Sequence, residues 1–210
     1  MRALVVGSGT IGLRTCIELL KQPEIKGVVL RSPVSPIHPS VCSMGAGGLW
    51  MPYHVGGGDE NSRVTKWSQQ TFEELWNIAM KKEKYVDTSS SSSQSLPLVE
   101  IMTAIQLHTS NENITSVTND TNVTYLDKNK LPYWINSIDE TKLQFQQLTI
   151  EMLYWQNIVT KLKLPTRTQE ELMNAGYNHA YMFQTPIVNT PLMLKVTFKN
   201  IFCVTVLYIR

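Results

Sequence analysis

Gly7, Gly9 and Gly12 stand in the spacing Gly-x-Gly-x-x-Gly, directly after a short apolar run. Each position has a physical use. The first glycine allows a tight turn out of a strand. The second lets the backbone approach a pyrophosphate, and the third lets a helix pack closely on a sheet. A helix that starts here offers free N–H groups and a positive dipole end to phosphates. The chemistry implied is dinucleotide binding; the bland alternative is a fortuitous glycine turn. An acidic residue about 20 positions further on, at the end of the second strand, is expected to bind ribose hydroxyls. Arg31-Ser32 stand there instead, and Glu24 falls too early. Arg31 suits a 2′-phosphate, stacking on an adenine, or a solvated surface position, and the sequence leaves these three open.

The elements that must position these glycines are legible. Residues 3–6 form an apolar run, as in a parallel strand covered on both faces. Residues 13–21 follow with Leu13, Cys16, Ile17 and Leu20 on one helical face, and Pro23 closes the helix. Val28, Val29 and Leu30 make a second strand. Strand, glycine loop, helix and strand within about 30 residues is a βαβ unit. Residues 31–43 hold Pro33, Pro36 and Pro39 and read as a loop. The strongest helical pattern runs over 62–82, where Val64, Trp67, Thr71, Leu75 and Ile78 share a face, with Phe72 and Ala79 beside it. The serine run 89–93 and the Asn/Thr-rich stretch 110–124 read as loops or insertions. Residues 99–108 and 181–188 have strand character, and 140–162 a mixed helical pattern. Thr168 to Glu171 is a capping box for a short helix that stops at Gly176.

Composition narrows the function classes. The chain has 210 residues, 42% hydrophobic and 17% charged, with net charge +2. This fits a soluble globular protein and gives no sign of nucleic acid or an anionic membrane as main partner. Cys16, Cys42 and Cys203 are too far apart for a zinc site, and a reduced intracellular compartment is the simplest expectation. The apolar start is too short for a signal peptide, no run of about 18 apolar residues exists, and the last residues are not a peroxisomal signal. Asn113, Asn119 and Asn122 head formal glycosylation triplets that read as chance. His38, His54, His108 and His179 are scattered and expected in surface or loop positions, with no metal site among them.

Three blocks carry a resemblance. Gly7-Ser-Gly-Thr-Ile-Gly-Leu13, then Gly45-Ala-Gly-Gly-Leu-Trp-Met-Pro-Tyr53, then Trp67-Ser-Gln-Gln-Thr-Phe72 together resemble the FAD-dependent D-amino-acid oxidase and D-aspartate oxidase family. The likeness covers about residues 1–80 well and is loose from there to about 195; the stretch 164–172 is similar to that family's Leu-Thr-x-x-Glu-Leu segment. The resemblance implies that Gly7, Gly9, Thr10, Ile11 and Gly12 hold the FAD diphosphate, with Ser43 and its neighbours Cys42 and Met44 helping. It implies that Gly48, Leu49 and Met51 lie along the flavin and that Tyr53 is nearer the substrate pocket. Met51 departs from the glutamine of some members. For Leu49, Trp50 and Pro52 core packing is the competing reading. The family moves a hydride from the α-carbon of a D-amino acid to the flavin; the imino acid hydrolyses to keto acid and ammonia, and oxygen returns the flavin with release of hydrogen peroxide. Its carboxylate-binding arginine and tyrosine and a second glycine-rich flavin segment have no match here, Arg167 and Arg210 standing in other contexts.

The expectation is therefore an α/β fold: a Rossmann-like FAD-binding βαβ unit with part of a mixed or antiparallel substrate-domain sheet, the family's C-terminal half being absent. Residues 1–80 are expected to form the FAD-binding part, 81–195 a partial substrate domain, and 196–210 a divergent tail. The expected function is FAD-dependent oxidative deamination of D-aspartate or a neutral D-amino acid, with the D-amino acid and oxygen as small-molecule partners. The alternatives are an inactive truncated remnant of such an oxidase, or an NAD(P)-dependent Rossmann reductase. The expected compartment is cytoplasmic or peroxisomal.

Overall fold

A computed structural model describes residues 1–52, 62–82, 84–86, 95–109, 134–155, 168–202 and 206–209. Tyr53, His54, Cys203, both low-complexity stretches with the three glycosylation triplets, Arg167 and Arg210 lie outside them. The fold is mixed α/β, with parallel and antiparallel sheets. Contacts divide the chain into two compact units, Met1–Leu49 with Ile78–Glu100 and Ile187–Arg210, and Trp50–Asn77 with Ile101–Pro186.

The first unit is built on a parallel sheet. Strand β1 (Arg2–Val6) leads to helix α1 (Thr10–Leu20) and strand β2 (Gly27–Arg31). β1 and β2 pair in parallel from Arg2↔Gly27 to Val6↔Arg31. The intervening helix makes this the expected βαβ unit. α1 starts three residues before the apolar face predicted for it, because Thr10, Ile11 and Gly12 already turn helically behind Gly9 as N-cap. Its last turn closes when the Lys21 N–H donates to the Glu18 carbonyl, just before Pro23. Leu13 and Cys16 are fully buried, and full burial of one such leucine contributes roughly 1.5–3 kcal/mol.

The core of this unit joins Val5, Leu13, Cys16, Val28 and Leu30 to Leu194 and Ile201. The last two come from helix α6 (Thr190–Phe202). The Asn189 side chain accepts from the Leu192 N–H at 3.2 Å and so begins that helix. The last strand, β8 (Val206–Ile209), pairs in parallel with β2, giving the order β1-β2-β8. The segment 196–210 therefore supplies the end of a packed helix and a sheet strand. Both described covering helices lie on the Val5/Leu30 face. On the other face of β1, Leu4 is 62% and Val6 75% exposed. A small antiparallel pair, β3 (Lys84–Val86) and β4 (Ser95–Pro97), belongs to the same unit.

The second unit combines helix α2 (Arg63–Met80) with strands β5 (Val99–Thr109), β6 (Gln146–Thr149) and β7 (Tyr177–Val188), and the short helices α3 (Glu140–Leu143), α4 (Ile150–Trp155) and α5 (Gln169–Asn174). The sheet order is β5-β7-β6, with β6 antiparallel to β7. β7 is apolar on both faces. Tyr181 and Phe183 join Trp50, Phe72 and Trp134 on one side; Ala180 joins Leu148, Ile150 and Leu172 on the other. The aromatic side packs edge to face, with Trp50 to Phe72 at 4.8 Å and Trp134 to Phe183 at 5.2 Å between ring centroids.

Three expectations need correction here. The buried side of α2 is not the stripe through Trp67 and Thr71: Thr65 and Phe72 are buried, Leu75 and Trp76 pack with them, and Trp67 is 58% exposed under the Arg63 guanidinium. Phe72 stacks on Trp76 with ring centroids 5.4 Å apart and packs into the aromatic cluster of Trp50 and Trp134, and those contacts set the rotation. The pattern over 140–162 resolves into α3, β6 and α4 within its described part, because the chain turns left-handed at Gln144 (φ 48°). His108 is not a surface or loop residue, and the half-buried His179 lies in a strand rather than a loop. They stack across β5 and β7 with centroids 5.3 Å apart, and His108 is buried.

Candidate functional site

The candidate site lies at the C-terminal end of β1, where the chain passes through the glycine loop into α1. Gly7 adopts φ +102°, a left-handed conformation open to glycine at little cost. Its N–H donates to the Arg31 carbonyl at 2.8 Å, which ties the loop to the end of β2. Gly12 is required by space. A Cβ there would lie 1.8 Å from the Gly7 carbonyl oxygen, so the first turn of the helix rests directly on the loop.

The start of α1 carries the binding potential. Gly9 is the N-cap and supplies no side-chain acceptor. The Leu13 N–H is the first to bond back into the helix, to the Gly9 carbonyl at 3.0 Å. The N–H groups of Thr10, Ile11 and Gly12 thus lie ahead of the helical ladder and point out of its end. Thr10 donates to the Ser43 hydroxyl at 3.2 Å, and a Cβ on Gly9 would lie 3.2 Å from the same oxygen. Ser43 sits in a single 3-10 turn, Cys42–Met44. The arrangement presents backbone donors, a helix dipole and a hydroxyl to one small volume, and no carboxylate belongs to it. It suits an anionic oxygen cluster such as a diphosphate.

The expected residues therefore separate. Gly7, Gly9, Thr10, Gly12 and Ser43 are brought together, with Ile11 beside them but its side chain 84% exposed. Met44 turns away and packs into the core beside Leu13 and Cys16. Gly48 and Leu49 form a second point, next to the end of β7. Gly48 has φ +70°, its carbonyl accepts from Val188, and a Cβ there would lie 2.0 Å from the Val188 carbonyl oxygen. Leu49 bridges to Ile187 and is 46% exposed. Met51 packs against the Trp50–Phe72 aromatic cluster of the second unit. Trp50 itself is a core residue, as its bland reading held.

Two residues escaped the sequence reading. Ser8 and Ser32 are both buried, and the Ser8 hydroxyl donates to Ser32 at 2.8 Å and to the Val34 carbonyl at 3.2 Å. This pair fixes the loop after β1 to the segment after β2. No spacing in the sequence signals this pair, which lies 24 positions apart. Cys16 is buried and its thiol is pushed up by desolvation, whereas Cys42 is exposed. An open groove of about 500 Å³ runs along the outer side of α1 from Thr10 to Gln22; it shares only Thr10 and Ile11 with the candidate residues. Among the described residues no group of three or more His, Cys, Asp or Glu is placed to hold a metal, and no helix is long and apolar enough to cross a membrane. No family model and no curated protein matches the chain.

Proposed function

We propose that the chain binds FAD through the glycine loop and the start of α1, and acts as an oxidoreductase on a D-amino acid, D-aspartate or a neutral one. The observation that carries the nucleotide part is the closure of Gly12 on the Gly7 carbonyl at the start of α1, where the Ile11 and Gly12 N–H groups lie ahead of the helical ladder and the Thr10 N–H donates to the Ser43 hydroxyl. The fit is favourable, because a side chain at Gly12 would destroy the cradle. Gly7, Gly9, Thr10, Ile11, Gly12 and Ser43 would hold the diphosphate, as in a Rossmann-like unit. The Gly48-Leu-Trp-Met-Pro-Tyr53 segment, through its resemblance, favours the D-amino-acid oxidase class over a nicotinamide reductase. Bound flavin supplies hydride acceptance from the substrate α-carbon and reoxidation by oxygen to peroxide. The chain's part is to hold the phosphates through the backbone donors at the start of α1 and the Ser43 hydroxyl.

The test is a visible absorption spectrum of the purified chain after free FAD has been removed. Flavin bands that co-elute with the protein are expected, followed by peroxide release with D-amino acids. A folded, colourless protein that takes NADPH instead would sink the oxidase reading. Flavin bands without turnover would keep the cofactor and remove the activity.

A further inference from the structure

We infer that the His108–His179 stack is an acid-sensitive latch in the second unit: it holds β5 to β7 while it carries at most one proton, and it gives way when both rings must be charged. The inference is independent of the nucleotide reading above.

His108 lies near the end of β5 and His179 near the start of β7. Their rings are parallel to within 8°, with centroids 5.3 Å apart. Two neutral imidazoles, or one neutral and one charged, stack in this way at little cost. Two imidazolium rings would set like charges against each other. Water screens them little at His108, which is 5% exposed. The Asn178 side-chain oxygen lies 2.7 Å from His179 Nδ1; as an acceptor it fixes a proton on that nitrogen and leaves Nε2 as the atom that gains or loses one.

Among the described residues, Tyr181 of β7 is the titratable group in ring contact with both histidines, at 4.5 Å from His108 and 5.8 Å from His179. A phenol carries no charge in the acid range. On β6 the partners of His179 and Tyr181 are Thr149 and Gln147, which are uncharged. Tyr181 also belongs to the aromatic cluster of Trp50, Phe72 and Trp134, so a change at the stack reaches the packed face of the sheet.

The sign follows from proton counting. In the unfolded chain each imidazole takes a proton near its ordinary value, about pH 6.5. The folded pair takes one fewer. Stability tied to the pair is therefore present above about pH 6.5 and is lost as pH falls below it.

The experiment is urea unfolding of the full chain from about pH 7.5 to about pH 5, read by tryptophan fluorescence, with imidazole NMR and amide hydrogen exchange on the same samples. The unfolding equilibrium constant is expected to rise roughly tenfold between about pH 6.5 and about pH 5, as exclusion of one proton requires. Amide exchange in β5 and β7 should quicken over the same range. His108→Phe keeps a ring in the stack and should flatten the rise. His179→Phe should leave about a threefold rise, from burial of His108 alone. The NMR reading needs no variant: only one of the two rings should take up a proton while the chain is folded. Protonation of both rings in the folded chain overturns the inference, as does a flat unfolding curve or unchanged exchange in β5 and β7. A full-sized rise in either variant overturns it too, since other groups, or burial alone, would then account for the rise.

Discussion

Among the described residues the sheets β1-β2-β8 and β5-β7-β6 are both three strands wide, yet they are held in opposite ways. In the antiparallel sheet the decisive contacts are made by large side chains. Trp50, Phe72, Trp134 and Phe183 fill one face, and Leu148 and Leu172 the other. In the parallel unit the tightest approaches occur where side chains are missing, with backbone against backbone at Gly12 and at Gly48. The first is a region shaped by volume, the second by its lack. Side-chain volume stabilises, and bare backbone presents donors. The comparison teaches where a ligand for phosphates would go, because a crowded aromatic face has no free N–H groups to offer.

The largest effect expected from breaking this contrast is at Phe72. Phe72→Ala should lower stability by about 3–5 kcal/mol in urea unfolding. Fluorescence of the tryptophans around it should change first. If flavin release tracks that transition at every urea concentration, the two regions unfold as one and the contrast is only geometric. Next comes Gly12→Ala. The added Cβ meets a carbonyl oxygen at 1.8 Å, so a loss of about 1–3 kcal/mol and of nucleotide binding is expected, read by thermal melting and absorbance. Gly9→Ala should be milder, since the nearest atom is the Ser43 hydroxyl at 3.2 Å, which can rotate.

Smaller effects sharpen the comparison. Thr168→Ala removes one arm of the capping box that opens α5 and should lower stability by about 1 kcal/mol. Leu4→Ser on the open face should change stability by less than about 0.5 kcal/mol while reducing self-association in light scattering. The smallest is a pH effect at Asp139. Hydrogen bonds from the Thr141 side chain and N–H hold its carboxyl below the usual range. A depressed folded-state value means stability that is present above the unfolded-state value and lost as pH falls through the folded one. Acid should therefore loosen α3 slightly. Asp139→Asn should remove that part of the pH dependence of unfolding. An unchanged acid limb would mean that the cap contributes nothing measurable.

Much of the first unit was legible because its signals are local. The glycine spacing, the apolar runs on either side of it and Pro23 lie within one βαβ unit, and the structure places β1, α1 and β2 there. The capping box at Thr168 was readable for the same reason. What failed was long-range. Whether Trp67 or Phe72 faces inward depends on Trp50 and Trp134, which no helical period reveals. The pairing of His108 with His179 comes from the neighbouring strands β5 and β7. For α6, Asn189, Pro191 and the spacing of Leu194, Phe198 and Ile201 were a usable signal, hidden by reading the last stretch as a tail. At the site, the glycines declared themselves through spacing. Ser8 and Ser32 did not, because two serines 24 positions apart have no period.

The pairing of Val28 with Val206 sets the timing of assembly. During synthesis β1, α1 and β2 leave the ribosome together, but the second neighbour of β2, residues 206–209, is made much later. At a synthesis rate of about 5–20 residues per second, β2 waits on the order of ten seconds or more with one edge unpaired. A chaperone that shields strand edges in this interval would raise the yield of folded chain, and slower translation past residue 31 would lengthen the exposure.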